Sequence, residues 1–394
     1  MKLGGNDLTG IILTQYNGKI IGPIAKLLGY LMNAIFEFLN MIKIPNIGLS
    51  IIIFTIVIYL LLMPLTIKQQ KFSKLSAKMN PELQAIQKRY KDKKDNDSMM
   101  AMNAETKAVY AKYGVSPSGS CLQLLIQMPI LFALYRVIYN MPAYVTRIRD
   151  AFGVIADSII ASGKVSEIQN LKVAAAYARN FAIDERNAVI DVLYVMNNKD
   201  LAAYATGHED VLEQISHFNN FLGINIANSP SFMISDAWNA EGGPQILLII
   251  AALLIPLLSA FTQWLNVKLM PQQAQQDDKN VSDQQASMQQ SMKMMNNFMP
   301  IMSAVFCFTL PSGMGLYWIV GAVVRSIQQV LINKHIDKMD IDEVIKKNEE
   351  KQKKKLIKAG IDPNTVNKNA TMNTRNVAAP SQKTSMASRA NANT

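Results

Sequence analysis

The run Ile51–Gln70, IIIFTIVIYLLLMPLTIKQQ, is apolar up to Pro64 and then turns at once into a charged segment. A helix needs roughly 20 apolar residues to cross a hydrocarbon core about 30 Å thick. Ile47–Thr66, Cys121–Met141 and Gln245–Leu265 each approach that length with few or no charges, and Phe298–Leu310 and Met314–Ile332 are separated only by Pro311-Ser312-Gly313. Apolar residues make up 49% of the chain, enough for a soluble core, but they are clustered rather than spread periodically. The expectation is an all-α polytopic membrane protein with five transmembrane helices.

Charge sets the expected orientation. Between the first two runs, Lys68 to Lys112 carries 11 Lys/Arg against 5 Asp/Glu, and from Asn333 onward there are 13 against 7. Pro142 to Gly243 reverses this, with 7 basic against 12 acidic. Lys and Arg concentrate on the cytoplasmic side, so residues 67–116 and the C-terminal tail, 333–394, are expected in the cytoplasm and 142–243 outside. Five spans then place the N-terminus outside, in a multi-pass membrane protein. The net charge of +11 has no aromatic-basic interleaving or finger spacing beside it, so DNA is not an expected partner.

Along the chain, Ile20–Met41 has Ile24, Leu27, Leu28, Leu31, Ile35, Phe38 and Leu39 at helical spacing but includes Lys26 and Glu37. Within residues 1–46 it reads as an amphipathic helix lying in the outer interface, since two charges at the bilayer centre are costly. No cleaved signal is expected in Met1–Tyr16. Beyond Pro64, Leu75, Met79, Leu83, Ile86 and Tyr90 recur at threes and fours, and Ser98–Tyr113 repeats the pattern after a charged turn. This predicts a cytoplasmic helical hairpin, whose plainer alternative is a solvated connector. Ile155–Ala161, Lys172–Phe181, Asn187–Met196 and Val211–Phe221 predict a small external helical domain. Residues 266–297 form a Gln- and Met-rich loop with Met288, Met292, Met294, Met295 and, just beyond it, Met299, suited either to varied partners or to ordinary helix packing. The tail is Lys-rich from Lys346 to Lys358 and expected to be largely disordered. Its charge suits anionic lipid and ribosomal RNA alike.

No covalent chemistry is expected, and the chain reads as a non-enzyme. It has no Walker-type Gly-Lys-Ser/Thr, no nucleophile motif and no cofactor signature; His208 and His217 stand nine apart without a cysteine nearby. Cys121 and Cys307 lie in apolar runs and read as small buried hydrophobes. Gln123, Gln127, Pro129 and Arg136 fall within the second run. The glutamines need partners inside a bundle or a wet cavity, whereas Arg136 reads as an anchor at the outer interface.

Several strings together carry a resemblance. NPELQAIQKRY at Asn80–Tyr90, YGVSPSGSC at Tyr113–Cys121, LLIQMPILFALY at Leu124–Tyr135, FMPIM at Phe298–Met302, LPSGMGLYW at Leu310–Trp318 and SIQQVLIN at Ser326–Asn333 resemble the YidC/Oxa membrane protein insertase family. The likeness covers Ile20–Met141 and Phe218–Lys334 and leaves out Val145–His217 and the far tail. It implies five helices around a hydrophilic groove, open to cytoplasm and lipid, that moves nascent transmembrane segments into the bilayer without nucleotide hydrolysis. It leaves the Sec translocon open as a partner.

Most bacterial members have a span-one arginine five residues before the exit proline, where this chain has Tyr59. Tyr59 lies about eleven residues in from Gly48, roughly 16 Å by helix rise, and Arg325 lies at similar depth from Met314. Trp318 and Arg325, seven apart, share a helix face. The expected groove lining is therefore Tyr59, Thr55, Gln127, Trp318 and Arg325, with the positive charge moved from span one to span five. The alternative is that Arg325 snorkels to the headgroups. Met79, Leu83, Ile86 and Tyr90 are the expected substrate face of the hairpin. A small-solute transporter or channel, or an accessory scaffold of the Sec translocon, remains the competing class.

Overall fold

A computed structural model describes residues 15–16, 18–91, 93, 95–116, 119–196, 198–240, 242–269, 283–358 and 360. The expected absence of a signal in Met1–Tyr16 falls almost wholly outside them. The described chain is nearly all helix, with one antiparallel pair of two-residue strands, Asn220–Phe221 and Ile224–Asn225. It divides into two compact units: Met1–Gln70, Ser120–Pro271 and Gln289–Asp337 make one, and Lys71–Gly119, Gln272–Met288 and Lys338–Thr394 the other.

In the first unit, helix α1 (Ile21–Met41) buries Ala25, Leu28, Met32, Phe36 and Leu39, while Leu27, Tyr30, Phe38 and Met41 stay exposed. Its polar residues are used: Glu37 pairs with Arg147 at 2.7 Å, and Asn33 accepts from the Thr146 amide. Helix α2 (Ile47–Leu61) starts at Asn46, whose side chain accepts from the Leu49 amide at 3.1 Å and donates to the Asn220 carbonyl at 2.7 Å. Such a cap satisfies an amide that the first helical turn leaves without a partner.

The break near Pro64 has a simple cause. A proline has no amide hydrogen to complete the helical ladder and fits without loss in a first turn, where that hydrogen has no partner in any case. Helix α2 therefore stops at Leu61, and α3 (Met63–Tyr90) sets off at 55° to it. Whereas the sequence suggested an end to the span at Thr66, the helix does not pause there. It runs on through the polarity change as the first arm of the hairpin.

Helix α4 (Asn96–Tyr113), in the second unit, is capped by Asp95 and ends at Gly114, whose positive φ of 64° closes the helix. Helix α5 (Gly119–Tyr139) continues through Pro129. Arg136, expected as an interface anchor, is exposed with its guanidinium 4.5 Å from the Tyr16 ring centre. The insertion is helical as expected. Its main helices are α6 (Thr146–Ala161), α7 (Glu185–Val195), α8 (Glu209–Asn219) and α9 (Pro230–Trp238), joined by shorter turns. Phe36 of α1 meets Phe218 edge-on at 5.3 Å, tying the insertion to the first helix.

Helices α10 (Ile246–Leu269) and α11 (Ser312–Asp337) are long and apolar enough to cross a membrane, and the bent α2–α3 pair qualifies as a third span. Helix α12 (Asp283–Thr309) carries a shorter apolar part, Asn297–Thr309, and ends at the anticipated Pro311 turn. The outer face of α10 exposes Leu247, Ile250, Leu257, Phe261 and Trp264. Such a face of large apolar side chains is at home only against lipid or another apolar surface. Ser312 starts α11 by donating from both its amide and hydroxyl to the Asn228 carbonyl, at 2.8 and 2.7 Å.

Two expectations are corrected. Residues 266–297 are not a loop throughout: α10 extends to Leu269 and α12 begins at Asp283, so helix continues past each apolar run. Residues 270–282 and the side chains of Met288, Met292 and Met295 lie outside the described residues, while Met294 and Met299 are exposed. The tail is not disordered from Lys346, because Ile341–Lys358 is a helix, α13. Ile341, Val344, Ile345 and Ile357 give it apolar positions that a count of lysines overlooks. Residues 361–394 lie outside the described residues.

Candidate functional site

In the first unit, polar side chains from α2, α10 and α11 converge. Arg325 donates through Nη1 to the Tyr59 hydroxyl and through Nη2 to Gln263 Oε1 at 3.2 Å, and its guanidinium lies 5.4 Å from the Tyr59 ring centre. Both hydrogen-bond partners are neutral, and among the described residues no carboxylate pairs with Arg325. The Tyr59 carbonyl also accepts from Gln328 Nε2 at 2.8 Å. One turn before Arg325, Gly321 makes room: a Cβ there would lie 3.0 Å from Tyr59 Cε2. Bulk on α11 would thus push the tyrosine ring aside.

The polar seam continues to the start of α3. Gln70 and Gln329 exchange amide hydrogen bonds, Gln329 donating at 3.0 Å and also reaching Asn333 Oδ1 at 3.0 Å. Most buried side-chain amides are bonded in this way. The Ser326 hydroxyl and Gln328 Oε1 are buried without a partner, so this seam holds more polar capacity than it uses.

The sequence-derived set separates on the structure. Tyr59 and Arg325 come together. Trp318 is half-buried against Phe306, ring centres 6.0 Å apart, and Gln127 is half-buried on α5. Among the described residues, no hydrogen bond joins either of them to the Tyr59–Arg325 pair. Thr55 corrects the expectation: it is fully buried, and its hydroxyl donates to the Ile51 carbonyl one turn back at 2.6 Å. A threonine bonded to its own helix offers nothing to a cavity. Gln263 and Gly321 went unnoticed in the sequence. The first had a signal, a lone carboxamide in an apolar run, but nothing local tells which helix it faces.

The hairpin, in the second unit, is held by two ion-pair groups. Glu82 accepts from Lys112 at 2.8 Å and from the Tyr113 hydroxyl at 2.7 Å, and Glu105 accepts from Arg89 and the Tyr90 hydroxyl, both at 2.9 Å. Burial alone would raise the Glu82 carboxyl; the bonds from Lys112 and Tyr113 outweigh it and hold it below the ordinary carboxylate range. Burial, and then the neighbouring Glu82, pushes the Tyr113 hydroxyl up to about 12. Met79 and Ile86 are buried, while Leu83 and Tyr90 are half-buried. The expected substrate face is packed in this structure: Met79 and Leu83 sit in a cluster with Tyr113, Val115 and Ile345 of α13. No group of His, Cys, Asp and Glu suited to a metal occurs among the described residues.

The family model of the 60Kd inner membrane protein matches residues 38–339, which includes every element of the converging site. The chain belongs to that family. Matched stretches of named YidC/Oxa relatives agree. It is 40% identical over 117 residues to the "Membrane protein insertase YidC" of Fusobacterium nucleatum, covering 28% of this chain and 55% of that relative. It is 45% identical over 95 residues to the YidC insertase of Oceanobacillus iheyensis, covering 24% and 37%, and 43% identical over 98 residues to the insertase MisCA of Bacillus subtilis, covering 25% and 37%. These stretches thus span between about a third and just over half of the relatives' lengths. With its apolar helices, membership marks this chain as an integral bacterial membrane protein. As a YidC/Oxa family chain it places a tyrosine at residue 59 and bonds it to an arginine on α11.

Proposed function

We propose that the chain is a membrane protein insertase and chaperone that moves nascent transmembrane segments from the cytoplasm into the bilayer, without hydrolysing a nucleotide. In this reading five helices span the membrane: α2, α5, α10, the apolar end of α12, and α11. The hairpin and tail are cytoplasmic and the insertion lies outside. Tyr59, Gln263 and Arg325 belong to a hydrophilic groove, with Gln127 and Trp318 on its walls.

The observation that carries the reading is Arg325, a cation set about eleven residues into an apolar helix and bonded only to neutral side chains. Charges are costly in such helices and are retained where they serve a pathway or a ligand. An incoming segment must shed water from its polar flank before its apolar part gains lipid, and polar groups at half depth lower that barrier. Arg325 adds attraction for an acidic flank. The apolar burial of the segment itself supplies the driving force.

The test is reconstitution of the purified chain in protein-free liposomes with a short single-span substrate bearing an acidic translocated tail. Insertion is expected, and Arg325→Ala should weaken it for the acidic tail more than for a neutral one. Absence of insertion by the purified chain would remove the class. If Arg325→Ala left the acidic-tailed substrate unaffected while Tyr59→Ala abolished its insertion, the role given to Arg325 would fall.

A further inference from the structure

The apolar seam of the hairpin already has an occupant. Met79 of α3, with Tyr113 and Val115 at the end of α4, is buried together with Ile345 of α13, and Phe72 and Ile341 close the edges. Ile341 and Ile345 are four apart, so they present one face of the tail helix. Three further features seat it. Lys78 Nζ lies 2.5 Å from Asp342 in the first turn of α13. Asn348 Nδ2 donates at 3.0 Å to the Tyr113 carbonyl, one of the helix-end acceptors that α4 itself cannot satisfy. Gly114 leaves the space that Asn348 fills, since a Cβ there would stand 2.6 Å from its Nδ2.

The seat is nevertheless shallow. Ile345 is buried but Ile341 only partly so, and the Lys78–Asp342 pair is open to water, with side-chain exposures of 43% and 71%. Exposed pairs of this kind hold weakly. Further along α13, Lys346, Lys347, Lys351 and Lys353 are exposed. A helix so held is displaced by any segment that presents a longer apolar face to the same seam, and a nascent transmembrane segment is such a competitor.

We propose that the tail helix Ile341–Lys358 is the resident occupant of the hairpin seam, and that an incoming apolar segment must displace it to be captured. The inference rests on the reading of the hairpin as a first contact for substrate. The tail then acts as a threshold: weakly apolar segments fail to dislodge α13 and are passed over, whereas strongly apolar ones are admitted.

The experiment uses the full chain in liposomes with the photoreactive residue p-benzoylphenylalanine in place of Phe72, and a single-span substrate below saturation. The variants are Ile345→Asp, which removes the buried anchor, and the double change Asp342→Asn with Asn348→Ala, which loosens α13 from the solvent side and leaves the Met79–Tyr113 packing intact. If the seam is closed in about nine chains of ten, Ile345→Asp raises crosslinking about tenfold, and the double variant raises it less. Crosslinking equal to or below the unmodified chain in both variants overturns the displacement and leaves the hairpin contact standing. Absence of any crosslink in all chains, while insertion proceeds, overturns the hairpin contact and the displacement with it.

Discussion

Tyr59 and Tyr113 are buried almost equally, at 5% and 4% exposure, and each shares its hydroxyl with a charged partner. Their surroundings differ. Tyr113 faces Glu82, which also holds Lys112, and both of those side chains remain about two-fifths exposed. Tyr59 faces Arg325, which has no counter-charge among the described residues. In the hairpin, water shares the work of solvating each charge, so the bonds fix geometry and add little stability. Between α2, α10 and α11, Arg325 is half-buried and the side chains bonded to it are neutral. A third case sharpens the contrast: Asp191 of α7 is 1% exposed, and its Oδ2 has no hydrogen-bond partner.

The largest expected effect is at Asp191. Burial raises its carboxyl to about 7, against opposing hydrogen bonds from Asn140 and Asn180. The unfolded value is about 3.9. Because the folded value is the higher, the folded chain binds the proton more tightly, and stability is greatest below the unfolded value and is lost as pH rises toward 7. The difference is on the order of 4 kcal/mol. Thermal unfolding of the purified chain in detergent between pH 5 and 8 should show the fall, and Asp191→Asn should flatten it. An unchanged profile in that variant would place the pH dependence elsewhere.

Next comes Gly321. Gly321→Val forces the Tyr59 ring from its place against α11, at a cost of about 1–3 kcal/mol. It should also impair insertion of an acidic-tailed substrate, whereas Gly163→Ala, which meets no neighbour but strains a turn at a φ of 69°, should lower stability and leave insertion intact. Tyr59→Phe removes one of the two bonds to Arg325 and is expected to cost about 1–3 kcal/mol. A melting temperature equal to that of the unmodified chain would mean that water reaches the guanidinium. The smallest effect belongs to the hairpin pair: Lys112→Ala should cost less than about 1 kcal/mol, and 0.5 M salt should erase most of it. A larger loss would show that the hairpin is drier than its exposures imply.

Much of the architecture was legible in the chain. Pro64 marks a favourable place for one helix to stop and another to start, Gly114 favours a helix end, and the apolar runs have to be covered by lipid or protein. These are properties of a few neighbouring residues, and the structure reproduces them. The helical insertion and the hairpin arms followed from spacing in the same way.

The misreadings share a cause. Thr55 looked like a polar residue facing a cavity, but its hydroxyl found its own backbone. Met79 reads as part of a substrate face, and spacing gives no sign that Ile345, far along the chain, packs against it. Gln263 was overlooked because its partner, Arg325, lies 62 residues away. Helical periodicity shows which residues share a face; it does not show which other helix that face meets. Composition and pattern established a helical chain with apolar runs, and its motif strings carried the resemblance to the family. The tertiary structure decided that residues 59 and 325, 266 apart, hold one another, because only the crossing of α2 and α11 sets a tyrosine ring against an arginine.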